Sequence, residues 1–261
     1  MNILETIVQH KYREVGQRRQ AVPVAQLRQQ PGYERPRLSF RQFILDPTRT
    51  GIIAEFKRQS PSKGIINADA DVAAVTKAYA QHGASAISVL TDTEFFGGST
   101  ADLQAARLNA VPLLRKDFIV DTYQIEEARA MGADAILLIA ACLTPAAVSE
   151  LAAYAKELGL EVLLELHAEE ELNHVCPATD IVGINNRDLK TFTVDIERSL
   201  QMAARLPHGV VKIAESGINT PADVKRFREN GFDGFLIGER FMRDADPGAA
   251  FAAFVESLKP E

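Results

Sequence analysis

From residue 51 onward, short apolar runs alternate with segments whose apolar positions recur every three to four residues, and this alternation repeats eight times. The runs are GIIAEFK, AISVLTD, VPLLRKDFI, AILLIAACL, EVLLELH, IVGINNR, VVKIAESGI and GFLIGER. They are rich in Val, Ile and Leu and apolar on both faces, as strands of a sheet covered by helices must be. Between them, DVAAVTKAYAQHGA and DTYQIEEARAMGA show helical periodicity, and helices are also expected through DLQAARLN, near IERSLQMAARL, over ADVKRFRENG and in the closing FAAFVESL. Thr144-Pro145 and Thr220-Pro221 each set a capping hydroxyl before a first-turn proline. A short acidic helix is expected in AEEELNHV. Gly83, Gly132 and Gly231 fall where a left-handed turn ends a helix. Eight strand–helix units predict an α/β fold, a (β/α)8 TIM barrel with its site at the C-terminal strand ends. An open doubly wound sheet is the alternative, but no G-x-G-x-x-G opens the first unit.

Residues 1–47 follow a different pattern. Ile3, Leu4, Ile7 and Val8 are spaced as on one face of a basic amphipathic helix. A polar stretch broken by prolines and one glycine, AQLRQQPGYERPRLSFRQF, comes next. This segment is too short for a core of its own, so it is expected to be a helical extension packed on a barrel spanning 48–261.

Composition narrows the classes. A hydrophobic fraction of 46% supports a sizeable core, and a net charge of -6 gives no electrostatic case for nucleic acid or an anionic membrane. No run approaches the ~18 apolar residues of a membrane span, and the first residues lack the pattern of a secretory leader. Cys142 and Cys176 are far apart without a Cys-x-x-Cys, which suits a reducing cytoplasm.

Several apolar runs end in charge: Glu55 and Lys57, Lys116, Glu165, and Asn185 with Arg187. Burying even an unpaired polar group costs roughly 2–7 kcal/mol, so these ends point to one wet floor shared by many strands. Strand period two puts Glu55 and Lys57 on the side of Ile53, groups Lys116 with Leu114 and Phe118, and sets Glu165 with Leu163. Apolar neighbours favour a neutral lysine and carboxylates favour the ammonium, a combination suited to a proton donor. A structural ion pair across the barrel mouth is the competing account of any one of these charges.

Two further signals concern anions. The loop RQSPSKGIIN carries Ser60, Ser62, Lys63 and Gly64, which suits an anionic substrate and a closing lid. Gly217 and Gly238 follow strands seven and eight, where barrels often hold phosphate on backbone N–H groups. Phe95-Phe96 before Gly97-Gly98 suits either core or the wall of an aromatic site. His167 and His174 lack metal-ligand spacing and read as solvated or capping residues.

The segments AEFKRQSPSKG, SVLTD…FFGGS, LLRKDFIVD, LLIAACL, LLELH, GINNRDL, AESGI and FLIGE, in this order, make the chain resemble indole-3-glycerol phosphate synthase along nearly its whole length. The resemblance implies ring closure of a carboxyphenylamino-deoxyribulose phosphate, with loss of CO2 and water, in tryptophan biosynthesis and without metal or organic cofactor. It implies Lys116 as general acid in condensation, Glu165 as acid/base partner in dehydration, and Glu55 as the carboxylate that tunes the lysines. Lys57 matches the lysine facing the anthranilate-derived carboxylate and is a second candidate for proton transfer. Asn185 and Arg187 match a polar pair at the site, and Ser216 its serine. Ser60, Gly217, Gly238 and Glu239 fall at phosphate positions, the last through its backbone, and Phe96 and Phe118 where an aromatic ring is enclosed. Arg240 departs from the pattern, since a small residue is expected there.

The competing functions are a phosphoribosylanthranilate isomerase, expected to use a cysteine and an aspartate, a lysine Schiff-base aldolase, and a non-catalytic phosphate-binding barrel. The expected partner is a small phosphorylated substrate, with no nucleic acid and no membrane. A monomer is expected, with association with other tryptophan-pathway enzymes a further expectation.

Overall fold

The computed structural model describes residues 3–187 and 193–259. Eight parallel strands close a barrel in chain order: β1 (Ile52–Phe56), β2 (Ala86–Leu90), β3 (Leu113–Lys116), β4 (Ala135–Ile139), β5 (Glu161–Leu166), β6 (Ile181–Asn185), β7 (Val211–Glu215) and β8 (Gly234–Ile237). The last strand returns to the first, with Ile53 opposite Leu236. This is the expected (β/α)8 barrel.

Parity along each strand divides the core in two. Ile53, Ala86, Leu114, Leu137, Leu163, Ile213 and Leu236 belong to one buried cluster inside the barrel. Ile52, Ala54, Ile87, Val89, Leu113 and Leu164 belong to another, between the strands and the surrounding helices. The next inward positions above Ile53, Leu114, Leu163 and Ile213 are Glu55, Lys116, Glu165 and Glu215. The apolar layers therefore end where the charges begin.

Seven helices follow the sequence signals, α4 (Val72–Gln81), α5 (Thr100–Ala106), α6 (Thr122–Met131), α7 (Pro145–Glu157), α8 (Ile196–Ala204), α9 (Pro221–Glu229) and α11 (Pro247–Glu256), whereas α10 (Glu239–Met242) takes up the end of the run GFLIGER, where strand is expected. Thr144 and Thr220 cap α7 and α9 through their hydroxyls. Gly83 and Gly132 take φ of 93° and 90°, the left-handed turn that closes α4 and α6.

Two further elements differ from expectation. The run AILLIAACL leaves the sheet at Ile139, and Ala140–Cys142 form a 3-10 turn. The acidic AEEELNHV is a 3-10 helix over Glu169–His174, the tighter form common in short connecting segments.

Three helices precede β1: α1 (Ile3–Ala21), α2 (Val24–Leu27) and α3 (Phe40–Leu45). The buried stripe of α1 is Ile7, Lys11 and Val15, so a lysine sits within the apolar face. Ile7 joins the barrel-interior cluster, and Lys11 meets Asp92 at 2.8 Å and Asp117 at 3.0 Å, at the ends of β2 and β3. Tyr33 and Arg28 then bind Glu126 on α6. Helix α3, hidden in the polar stretch because it is so short, sends Phe40 and Ile44 into the interior cluster. The Ser39 hydroxyl and the Arg41 N–H both donate to Glu161 at the start of β5, so the segment before β1 touches both ends of the barrel.

Candidate active site

A cavity of about 420 Å³ opens at the C-terminal strand ends. Glu55, Lys57, Ser60, Phe96, Lys116, Phe118, Glu165, Asn185, Arg187, Ser216, Gly217, Gly238 and Glu239 all line it, which brings together the residues to which the resemblance gives a role. Ile3, Leu4 and Ile7 of α1 contribute an apolar wall.

Two buried carboxylates organise the charged side. Glu55 accepts from Lys57 at 2.7 Å, has Lys116 at 4.0 Å and is reached by the Ser88 hydroxyl at 3.4 Å. Burial alone would raise its carboxyl, but the Lys57 and Lys116 ammonium groups outweigh this and hold it below the usual range. Glu165 sits 3.3 Å from Lys116 through Oε2, while Oε1 accepts from Asn185 Nδ2 at 3.0 Å and lies 2.9 Å from His167 Nε2. Burial again opposes ionisation, yet Lys116, His167 and Asn185 keep Glu165 well below the ordinary carboxylate range. Burial would favour neutral Lys116, but the carboxylates of Glu165, Glu55 and Glu215 push it above the usual lysine value. Lys116 is therefore an ammonium set between carboxylates.

Glu215 is the residue that sequence reasoning passed over. It is 1% exposed, and burial together with the neighbouring Glu165 charge lifts its carboxyl well above the usual range. Glu215 thus holds its proton more tightly than Glu165 beside it. A signal existed: Gly183 interrupts an otherwise apolar strand, and interior glycines often mark a close approach. A Cβ on Gly183 would fall 2.0 Å from Glu215 Oε1.

Two other placements depart from expectation. His167 is neither solvated nor a cap but buried against Glu165. His174 does act as a local tie, its ring nitrogens 3.1 Å from the Glu171 carbonyl and 2.9 Å from the Leu143 carbonyl.

The opposite side of the cavity carries little buried charge. Ser216 is the one non-glycine residue with positive φ among the described residues, at 65°, and Gly217 follows at 72°. Such a conformation costs on the order of 1–3 kcal/mol, and Asn186 secures it by donating from Nδ2 to the Ser216 carbonyl at 2.7 Å. Ser60 is buried, with its hydroxyl 3.4 Å from that of Ser62. The Glu239 carboxylate lies 3.5 Å from Lys63 and 3.8 Å from Arg187, joining loops after β1, β6 and β8. Arg240 lines the cavity and pairs with Asp244 at 3.0 Å, so it is not merely solvent-facing.

The aromatic side is built by Phe96 and Phe118, with centroids 6.0 Å apart and planes inclined by 41°. Phe95 turns away and packs edge-on against His10 of α1 at 5.6 Å. Asp92 Oδ1 accepts the N–H groups of Phe95 and Phe96 at 2.8 and 3.1 Å, and Asp92 also pairs with Lys11. One buried carboxylate therefore positions the aromatic loop and anchors α1.

Comparison with known proteins follows the same outline. The family described as indole-3-glycerol phosphate synthase matches residues 4–254. The indole-3-glycerol phosphate synthase of Bacteroides thetaiotaomicron is 48% identical over 259 residues, covering 99% of each chain. That of Laribacter hongkongensis is 47% identical over 257 residues, covering 96% of this chain and 98% of its own. Among solved structures, a chain of the tryptophan synthase a2b2 complex from Pyrococcus furiosus superposes with a TM-score of 0.59 at 16% identity, covering 80% of this chain and 98% of that one. A mandelate oxidase gives 0.61 at 16% identity, over 80% of this chain and 71% of its own. At such identity these two show a shared barrel and nothing more.

Proposed function

The chain belongs to the indole-3-glycerol phosphate synthase family, and we propose that the cavity at its C-terminal strand ends carries out that family's reaction with the residues assigned below. The enzyme is a carboxy-lyase of tryptophan biosynthesis: it closes the ring of 1-(2-carboxyphenylamino)-1-deoxyribulose 5-phosphate, releasing CO2 and water and forming indole-3-glycerol phosphate.

The observation that carries the assignment is the Lys116 ammonium held 3.3 Å from the ionised Glu165. Lys116 donates its proton to the substrate's carbonyl oxygen as the new carbon–carbon bond forms, and the carboxyl group then leaves as CO2. Glu165 acts in dehydration, entering as the base because its neighbours keep it ionised. Glu55 pairs with Lys57 and helps to keep Lys116 charged, Lys57 faces the substrate carboxylate, and Asn185 fixes Glu165. Glu215, which holds its proton more tightly than an ordinary carboxyl, stands beside the reacting centre. Arg187 and Ser216 complete the polar wall. Phe96 and Phe118 enclose the ring, and Ser60, Gly217, Gly238 and the Glu239 backbone receive the phosphate.

A Schiff-base aldolase needs a neutral amine, and the ionised Glu165 and Glu55 beside Lys116 work against one. In the same proposal residues 1–47 are an extension packed on the barrel of 48–261, and the protein is a cytoplasmic monomer free of nucleic acid. Association with other enzymes of tryptophan biosynthesis belongs to the proposal as well. Among the described residues no helix is long and apolar enough to cross a membrane.

Direct assay with the carboxyphenylamino substrate tests the assignment. The chain contains no tryptophan, so indole fluorescence of the product rises over a weak tyrosine background. Turnover is expected in wild type and lost in Lys116→Ala. Full turnover in that variant overturns the role given to Lys116.

A further inference from the structure

One buried titratable side chain faces the reacting carboxylate without a part in the scheme above. His167 stands two residues beyond Glu165, is 6% exposed and lines the cavity. Its Nε2 lies 2.9 Å from Glu165 Oε1. Its backbone N–H donates to Glu171 Oε2 at 2.6 Å, so the turn after β5 fixes where the imidazole begins. Among the described residues neither ring nitrogen has an aligned hydrogen bond, and the approach to Glu165 is a short contact off the N–H axis.

The last torsion of a glutamate side chain is broad and roughly two-fold, so one contact does not fix the plane of its carboxylate. Oε1 of Glu165 has two contacts, from His167 and from Asn185 on β6, while Oε2 turns to Lys116. The two contacts together decide which oxygen meets the ammonium.

We propose that His167 is a positioning residue for ring closure, clamping Oε1 of Glu165 with Asn185 so that Oε2 is presented to Lys116 and the substrate. The proposal rests on the reading of Glu165 as the acid/base group. The charged and titratable groups facing the pair are Lys116 from β3, Glu55 from β1, Glu215 from β7, Glu171 in the following turn and Cys142 after β4. Burial pushes the Cys142 thiol up to about 12, and it stays protonated near neutral pH. The His167 contact favours the ionised form of Glu165, in the same direction as Lys116.

Glutamine places an amide nitrogen near the position of Nε2, and asparagine near that of Nδ1. The test measures kcat, KM and the pH dependence of kcat for H167Q, H167N and H167A, with thermal melting as the check on folding. H167N and H167A are expected to lose up to about a hundredfold in kcat with KM little changed. Their acid limbs are expected to move to higher pH, because Glu165 loses a contact that favours its anion. H167Q is expected to recover most of the rate. Wild-type kcat and pH profile in H167N and H167A overturn the proposal, as does a loss in H167Q equal to that in H167N. If H167A does not fold, the H167Q and H167N pair decides alone. E165Q measured in parallel separates the two levels: an active E165Q defeats the role of Glu165, whereas an inactive E165Q beside unaffected His167 variants defeats only the role of His167.

Discussion

Lys116 and Glu165 meet at 3.3 Å across the barrel mouth although they come from non-adjacent strands, β3 and β5. Their contact exists only because both strands turn the same parity inward and end at the same height. Replacing either group is therefore expected to remove a reacting partner while leaving the fold. Lys116→Ala and Glu165→Gln should each lose about 10²–10⁴-fold in kcat, the usual contribution of a positioned acid or base. Product fluorescence measures the rate and circular dichroism the fold; near-normal turnover in either variant refutes the role assigned to it.

Three neighbouring carboxyl groups give stability opposite pH dependences. Glu215 is raised in the fold, so its contribution is complete below the ordinary carboxylate range and is lost as pH rises through its elevated value. Glu165 and Glu55 are lowered, so theirs are present above that range and are lost as pH falls through their depressed values. Glu215→Gln is expected to remove the loss on the alkaline side and leave the acid side in place. Urea unfolding over a pH series reads this directly, and parallel curves for variant and wild type at all pH values would count against it.

Gly183 makes room for Glu215. A methyl group there would lie 2.0 Å from Oε1, so Gly183→Ala must push the carboxyl out of place. The expected result is a fall in kcat of about tenfold to a hundredfold, with the barrel still folded. An alanine variant with unchanged kcat shows that the position of Glu215 is immaterial.

Lys11 is fully buried with Glu14, Asp92 and Asp117 around its ammonium. Lys11→Met leaves Asp92 and Asp117 facing one another with less positive charge, although Arg115 still holds Asp117 at 3.0 Å. Breaking a buried ion pair from one side costs about 3–5 kcal/mol, and the remaining arginine sets the expected loss near the lower end. Guanidinium unfolding measures it. Because Asp117 directly follows Lys116 in the chain, kcat should fall as well, and a variant as stable as wild type contradicts the account.

The barrel and the charges at its strand ends were legible in the sequence because strand parity is local information, whereas the loop residues of the site came from the resemblance. Once Ile53 faces inward, Glu55 must too, and the same holds for Leu114 with Lys116. What could not be read depended on neighbours distant in the chain. His167 looked like a solvated or capping residue because its partner is fixed by where β5 ends, and Glu215 was hidden close to Gly217, which drew attention to phosphate. Lys11 sat in an apolar stripe whose meaning depended on Asp92 and Asp117. Helix α3 and the two 3-10 turns are too short for periodicity to register.

The pairing of β8 with β1 also bears on how the protein comes into being. Glu55 lies on the first strand and Gly238 just beyond the last, and Ile53 finds Leu236 only after the intervening units exist. A contact between such distant positions carries a high loop-closure cost and forms slowly. During synthesis, the unpaired edge of β1 and the apolar face of α1 must wait for partners made much later, a period open to misassociation. Catalytic competence is therefore among the last properties the nascent chain acquires, and damage to β8 should be felt as failed maturation before it is felt as altered chemistry.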